Sequence, residues 1–248
     1  MNISFAIIGH NEAHLLRECL ESIKDIAFEI VYLDCQSDDN SVDIAREFGA
    51  KVFVKENNFN LNVNKQFAID NCSGEWIFYI DPDERLTEGL KNEITLTLKD
   101  TDSNGFIIPR RNYYFGKWLR YGGKYPDRQL RLFRRGKGRF ECKSIHERIK
   151  VVGKIGYMKN AFEHIVIENT GRLIIKMNSY AYRGAYEALR LGIKPSEIIS
   201  KALKKFFINY FLKGGFLDGK KGFFVSLIDL FNGYLCYYKY MELAEKKI

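Results

Sequence analysis

Short apolar runs alternate with amphipathic stretches through the first part of the chain. The runs are Ile3-Ser-Phe-Ala-Ile-Ile8, Glu29-Ile-Val-Tyr-Leu-Asp34, Lys51-Val-Phe-Val54, Trp76-Ile-Phe-Tyr-Ile80 and Phe106-Ile-Ile-Pro109. Runs this short and this continuous suit strands buried on both faces. Between them, Leu15, Leu16, Cys19, Leu20 and Ile23 recur at helical spacing, as do Val42, Ile44, Ala45 and Phe48. Gly49 stops the second of these helices. Residues 60–71 read as a third helix, and a fourth opens at Thr87-Glu88 with Leu90, Ile94, Leu96 and Leu98. Strand-helix alternation with short connections predicts an α/β fold whose sheet is mostly parallel and whose crossovers are right-handed.

The pattern changes after the fifth strand. Residues 110–139 are rich in Arg, Lys, Tyr and Trp, and Gly122, Gly123 and Pro126 interrupt them, so this stretch is expected to be a binding loop rather than core. A solvated basic surface is the plainer reading. From Gly171 to the end, helical runs combine Lys with Phe, Tyr and Leu. The longest apolar one, Phe223 to Tyr238, is interrupted by Asp229 and Asn232 and is shorter than the ~20 residues of a spanning helix. An interfacial helix or a packing element fits better.

Composition adds direction. The formal net charge is +8, but residues 1–105 carry 9 Lys+Arg against 20 Asp+Glu, residues 106–159 carry 16 against 3, and residues 171–248 carry 14 against 6. An anionic partner is expected, and a membrane surface or a phosphorylated substrate answers the charge. No zinc-finger, RNP or basic-helix pattern speaks for nucleic acid. Five scattered cysteines without a Cys-x-x-Cys pair suggest neither a disulfide framework nor structural zinc, and a reducing cytosol fits them. The N-terminus runs straight into a strand without a signal-peptide pattern, so a cytoplasmic protein is expected.

The chemistry is expected at the strand ends. Trp76 to Ile80 runs into Asp81-Pro-Asp83-Glu84, and in an open α/β sheet the crevice lies beyond the carboxyl ends of the strands, so all three carboxylates would point into it. Two carboxylates two residues apart suffice for Mg²⁺ or Mn²⁺ when phosphate oxygens complete the shell. An acidic helix start is the bland alternative. Asp34 ends the second strand, where an acidic residue commonly accepts hydrogen bonds from a nucleoside. Lys65 lies on the polar side of the third helix and would neutralise a phosphate. The turn Gly9-His10-Asn11-Glu12 has neither a dinucleotide fingerprint nor a P-loop, and His10 is read as lining a pocket. Asn11 or Glu12 opens a helix facing the crevice.

Phe5-Ala-Ile-Ile-Gly-His-Asn-Glu12, Ile30-Val-Tyr-Leu-Asp-Cys-Gln-Ser-Asp-Asp39 and Gly74-Glu-Trp-Ile-Phe-Tyr-Ile-Asp-Pro-Asp-Glu84 together resemble glycosyltransferase family 2. Arg110 to Trp118, Tyr125 to Arg135 and Ile145-His-Glu147 resemble the branch that includes bacterial lipopolysaccharide core β-1,4-glucosyltransferases. The resemblance implies a GT-A fold over 1–170, with a nucleotide-sugar half (1–105) and an acceptor half (106–170), followed by a basic helical extension over 171–248. It also implies a nucleotide-diphosphate sugar donor, a UDP-sugar first, a divalent metal (Mn²⁺ or Mg²⁺) and inversion at the anomeric carbon.

Carried onto this sequence, His10, Asn11, Glu12, Asp34, Asp39, Lys65 and Asp81 are expected around the donor. Asp81 and Asp83 would hold the metal, with His164 as a third ligand or a structural histidine. Pro82 stands where the family has a small residue, and Gln36 where many members have Gly. Trp118, Arg128 and Arg131 are expected at the acceptor. Glu147 resembles the family's catalytic carboxylate and is the expected base, with Asp127 the second choice. The acceptor implied is a lipid-linked saccharide at an anionic membrane surface, where the protein would sit peripherally on the inner face. The competing expectations are a sugar nucleotidyltransferase, which would want a Gly-rich triphosphate loop after the first strand, and a non-catalytic membrane or nucleic-acid binder.

Overall fold

The computed structural model describes residues 2–144 and 147–245. The strands are β1 (Ile3–Gly9), β2 (Glu29–Asp34), β3 (Lys51–Val54), β4 (Trp76–Tyr79), β5 (Glu84–Arg85), β6 (Gly105–Tyr114), β7 (Lys117–Trp118), β8 (Asp127–Arg134), β9 (Gly138–Arg139), β10 (Lys150–Val151), β11 (Ile155–Tyr157) and β12 (Phe162–Ile167). The helices are α1 (Ala13–Ile23), α2 (Ser41–Glu47), α3 (Leu61–Asp70), α4 (Glu88–Thr97), α5 (Thr170–Arg190), α6 (Pro195–Phe207) and α7 (Gly219–Glu245). Among the described residues, no helix is long and apolar enough to cross a membrane.

The central sheet runs β3-β2-β1-β4-β8-β6-β12-β5. β1 pairs in parallel with β2 and β4, and β2 with β3, so the half of the sheet built from β1 to β4 is parallel as the alternation predicts. Both faces of that half are covered. Along β1, Ile3, Phe5 and Ile7 enter one buried cluster while Ala6 and Ile8 enter another, and along β4 Trp76 and Phe78 separate from Ile77 and Tyr79 in the same way. That division explains the continuous apolar runs, since period-two alternation disappears when neither face meets water.

Residues 110–139 correct the sequence reading. They contain the end of β6 and the whole of β8, and β8 pairs antiparallel with β4 through Trp76↔Arg134, Ile77↔Phe133 and Phe78↔Leu132. A strand stood hidden under its basic residues. Leu132 and Phe133 are buried on opposite faces, and Arg131 is itself buried, so charge concealed a core element.

The chain falls into two compact units, one of residues 1–110 and 128–164, the other of residues 111–127 and 165–248. The first holds both large clusters. The second has its own core, in which Tyr114, Leu119, Ile167, Leu173 and Val225 meet, so the segment 111–127 packs with helices that arrive far later in the sequence. Asp218 is buried there and accepts hydrogen bonds from the backbone amides of Arg120 (3.3 Å) and Tyr121 (2.9 Å).

Candidate active site

β4 delivers Asp81 to the edge of the sheet, and a reciprocal pair of hydrogen bonds fixes the turn that follows. The Asp81 amide donates to Glu84 Oε2 (3.0 Å), and the Glu84 amide donates to the Asp81 carbonyl (3.0 Å). Arg85 Nη1 donates to the carbonyls of Pro82 (2.6 Å) and Glu84 (2.8 Å), and its Nη2 reaches the Leu15 carbonyl in the first turn of α1 (2.7 Å). The backbone carrying the two aspartates is therefore held from both sides.

Glu84 does not face the crevice, which corrects the expectation for the third carboxylate. Its side chain is fully buried and pairs with Arg131 Nη2 (2.6 Å) and Arg110 Nη1 (2.9 Å). An unpaired carboxylate in that position would be costly, and two guanidiniums supply the compensation. Arg131 Nη2 also donates to Asp81 Oδ2 (2.8 Å), and its guanidinium lies 4.7 Å from the Tyr79 ring centroid. Arg131, expected at the acceptor, is thus 7% exposed and directed at the Asp-x-Asp turn.

Asp81 also accepts a hydrogen bond from the Tyr79 hydroxyl and lies 4.0 Å from Lys65 Nζ. Burial alone would raise its pKa, but the positive charges of Lys65 and Arg131 outweigh burial and hold the carboxyl well below the usual range. Burial and the neighbouring Asp81 charge push the Tyr79 phenol upward, so it keeps its proton and donates. Asp83 Oδ2 meets His164 Nε2 at 3.4 Å, and strand register explains the meeting, since β12 pairs antiparallel with β5 through His164↔Glu84.

Among the described residues, no group of three or more His, Cys, Asp or Glu is arranged as a metal cage. Asp83 and His164 form a pair of hard-oxygen and imidazole donors, a set that suits Mn²⁺ when substrate oxygens complete the shell. These residues fit the metal that the motif implies, and Asp81 stands beside them.

The loops after β1 and β2 are stitched together, which gathers four of the donor residues expected there. His10 Nδ1 bonds the Cys35 carbonyl (2.8 Å), the Asn11 amide donates to Ser37 Oγ (2.9 Å), and the Asp38 amide donates to Asn11 Oδ1 (2.8 Å). The Glu12 amide donates to Ser41 Oγ (3.2 Å), and Asp39 accepts from the Ala13 amide (3.0 Å) as well as the Ser41 amide (3.0 Å). Asp39 therefore ties the start of α1 to that of α2. A hydrogen bond from the Ser41 hydroxyl (2.5 Å) and those from the two amides outweigh its partial burial and lower its pKa. Asp34 lies opposite Gly9 in the β1–β2 register, is 1% exposed and accepts from the Ser37 amide (2.9 Å). Asn11 and Gln36 both adopt left-handed backbone, with φ of 57° and 59°. Gln36 stands where the resemblance expects glycine, the residue that adopts such backbone without steric cost.

Glu147 closes a loop of the same unit. Its carboxylate accepts from the amides of Cys142, Lys143 (2.9 Å) and Ser144 (3.3 Å). The loop is pinned to the start of α3, where Asn60 Nδ2 donates to the Cys142 carbonyl (3.0 Å) and Asn62 Nδ2 to the Ser144 carbonyl (2.8 Å). α3 also carries Lys65, so one helix positions both the Glu147 loop and the cation beside Asp81. Ile145 and His146 of the Ile-His-Glu motif lie outside the described residues.

The remaining expected residues divide between the units. Arg128 is exposed in the first. In the second, Asp127 accepts from Asn112 Nδ2 (3.1 Å), and Trp118 lies between the guanidiniums of Arg111 (4.9 Å to the ring centroid) and Arg120 (4.5 Å). Sequence reasoning missed Tyr79, Arg110, Asn60 and Asn62. The Tyr79 hydroxyl was legible in principle, because a strand residue two positions before Asp81 shares its face.

Comparison with known proteins gives a consistent result. The profile described as Glycosyl transferase family 2 matches residues 4–166. The lipopolysaccharide core biosynthesis glycosyltransferase LpsC of Rhizobium meliloti (strain 1021) is 31% identical over 237 residues, which is 91% of this chain and 86% of that protein. An uncharacterized glycosyltransferase of Rickettsia bellii (strain RML369-C) is 28% identical, covering 98% of this chain and 87% of its own. Among solved structures, S. aureus TarS 1-349 superposes with a TM-score of 0.51 at 13% identity, covering 94% of this chain and 81% of that one.

Proposed function

The chain belongs to glycosyltransferase family 2 and is a glycosyltransferase of GT-A fold, and from that premise we propose that it is an inverting, metal-dependent enzyme moving a hexose, glucose first, from a UDP-sugar to a lipid-linked saccharide of the lipopolysaccharide core type. The similarity to LpsC supports the acceptor class. The observation that carries the reading is the meeting of Asp83 and His164 beside an Asp81 kept anionic by Lys65 and Arg131.

In this reading Asp83 and His164, with Asp81 beside them, hold the metal and the stitched loops after β1 and β2 hold the nucleoside. A bound Mn²⁺ or Mg²⁺ would stabilise the charge that develops on the departing diphosphate, a contribution of several kcal/mol. Lys65 lies near Asp81 and would complement the same charge. The acceptor hydroxyl attacks the anomeric carbon from the face opposite the diphosphate, and a carboxylate removes its proton as the new bond forms. Glu147 is the proposed base. Three amides orient it and occupy three of its roughly four lone-pair positions, so proton transfer would use the fourth. Asp127 is the second candidate. Trp118 and Arg128 are proposed contacts of the acceptor, which would be met at the inner face of the membrane.

Slow donor hydrolysis tests the reading, measured with Mn²⁺ and a panel of UDP-, GDP- and ADP-sugars. Hydrolysis of a UDP-sugar that is lost on chelation and in Asp83→Ala is expected. Full activity in chelator-treated protein would remove the metal from the mechanism, and no turnover or binding of any nucleotide sugar would remove the donor.

A further inference from the structure

The helices of the second unit turn sharply between α6 and α7, and the turn is built so that its apolar side chains face outward. α6 ends in a π-helical turn, Ile208–Leu212, followed by Gly214 in left-handed backbone (φ 66°) and a 3₁₀ turn, Gly215–Asp218. π-helical turns are rare and often mark functional positions. Gly215 is buried with its backbone against that of Asn209, so close that a Cβ would lie 2.8 Å from the Asn209 carbonyl oxygen. With backbone pressed on backbone inside, the neighbouring side chains have only the outside. Leu212 is 71% exposed and Leu217 58%, and Phe207, Phe211 and Phe216 are exposed beside them. Tyr210 sits among the rings of Phe206 (5.7 Å), Phe211 (5.0 Å) and Phe223 (5.5 Å), which gives the tip a packed base.

The charge along this patch is mostly of one sign, although Lys205 lies 3.9 Å from the Asp229 carboxylate on α7. Residues 203–224 contain five lysines and a single carboxylate, Asp218. Asp218 is buried and engaged by the amides of Arg120 and Tyr121, so it does not face outward with the lysines. Lys204, Lys213 and Lys220 are exposed. Leucine and phenylalanine interleaved with lysine are the composition of a segment seated at the headgroup boundary, where the rings and aliphatic chains enter and the ammonium groups remain with the anionic heads. A second copy of this chain would set lysine against lysine. A phosphate-lined nucleic-acid groove would leave Leu212 and Leu217 with nothing apolar to meet.

We propose that the α6–α7 tip is a membrane-insertion element that docks the enzyme on an anionic bilayer. This deepens the proposed use of a lipid-linked acceptor and rests on it for its purpose. The lysines attract the protein to the surface, an attraction that salt weakens, and the exposed Leu and Phe side chains make the contact persist.

The test is sedimentation of the full chain with vesicles of phosphatidylcholine alone and of phosphatidylcholine mixed with phosphatidylglycerol. Binding to the anionic vesicles only is expected. It should fall at least about tenfold in Leu212→Ser/Leu217→Ser and in Lys213→Gln/Lys220→Gln, while Phe231→Ser, exposed elsewhere on α7, should bind as the parent does. Leu212→Trp gives a second readout, since its added emission should be quenched by lipids brominated in the acyl chain. Equal binding to both vesicle types, no binding to either, equal binding by the Leu212→Ser/Leu217→Ser protein, or unquenched emission would each overturn the proposal. So would a concentration-dependent dimer that the double serine variant loses, because a second copy would then be the occupant. Donor hydrolysis without vesicles separates the two readings: sedimentation without hydrolysis sinks the donor reading alone, and hydrolysis without sedimentation sinks this one alone.

Discussion

Glu29 collects four hydrogen bonds on one carboxylate oxygen, from Ser4 Oγ (2.5 Å), the Ser73 amide, Ser73 Oγ (2.9 Å) and the Gly74 amide (3.2 Å). Partial burial would raise its pKa, but these bonds outweigh burial and hold the carboxyl below its usual value. A folded value below the unfolded one makes the stabilisation fully present above about pH 5 and lost as the pH falls through the folded value. Glu29→Gln should therefore cost about 1–3 kcal/mol near neutral pH and less at about pH 3, measured by urea unfolding. A difference that stays constant with pH would show that the charge is not what these donors hold. For the two candidate bases, Glu147→Gln should reduce transfer by roughly 10²- to 10⁴-fold while UDP affinity by calorimetry stays nearly unchanged. A parallel loss of affinity would make Glu147 a loop clasp, and the same pair of measurements on Asp127→Asn decides between the two. The strand-end aspartates were legible because a buried apolar run can stop on carboxylates only where the strand leaves the core. The burial of Glu84 was not, since it depends on Arg131, 47 residues away in sequence and on a different strand, whose guanidinium meets it only in the folded chain.

Among the elements, β8 shows how charge hides a strand and the α6–α7 turn shows how glycine permits a close approach. The continuous apolar runs of β1, β2 and β4 could be read directly, whereas Arg128-Gln-Leu-Arg-Leu-Phe-Arg134 looks like a surface until Arg131 is seen to be paired inside. The helix boundaries were legible from local chemistry: Thr87 caps α4 by accepting from the Leu90 amide (3.2 Å), and Gly49 ends α2 in left-handed backbone (φ 70°). The turn between α6 and α7 had no comparable signal, because its tightness comes from glycines meeting across it. A Cβ on Gly222 would lie 2.2 Å from the Gly215 carbonyl oxygen and 2.8 Å from the Asp218 Cβ. Gly222→Ala should destabilise the second unit by about 1–3 kcal/mol or more through overpacking. Gly171→Ala, in the first turn of α5 with only an ordinary contact at 3.4 Å, should be neutral or stabilising by up to about 1 kcal/mol. Thermal melts of the two variants check the contrast, and equal melting temperatures would mean that the turn relaxes around the new methyl group.

The division of the whole molecule was the least legible feature, because composition changes along the sequence whereas the second unit is assembled from two separate stretches, 111–127 and 165–248. A boundary placed at residue 170 follows the composition. The contacts made by Tyr114, Leu119 and Asp218 lead to a sharper expectation, that a chain ending at 170 leaves the 111–127 segment without the core it packs into. Such a truncation should bind a hydrophobic dye and lose cooperative unfolding, and a sharp, dye-free melt would show that the segment folds without the helices. The same arrangement sets a timetable during synthesis. Arg120 and Tyr121 precede Asp218 by 98 and 97 residues, so at about 5–20 residues per second they wait roughly 5–20 s for the carboxylate that receives their amides. The parallel half can pair β1 with β2 and β4 before that interval ends. Completion of the second unit would then act as a late checkpoint: a polypeptide released before Asp218 carries a paired parallel sheet together with an unburied apolar segment, and chaperones or proteases, which recognise such surface, would remove it.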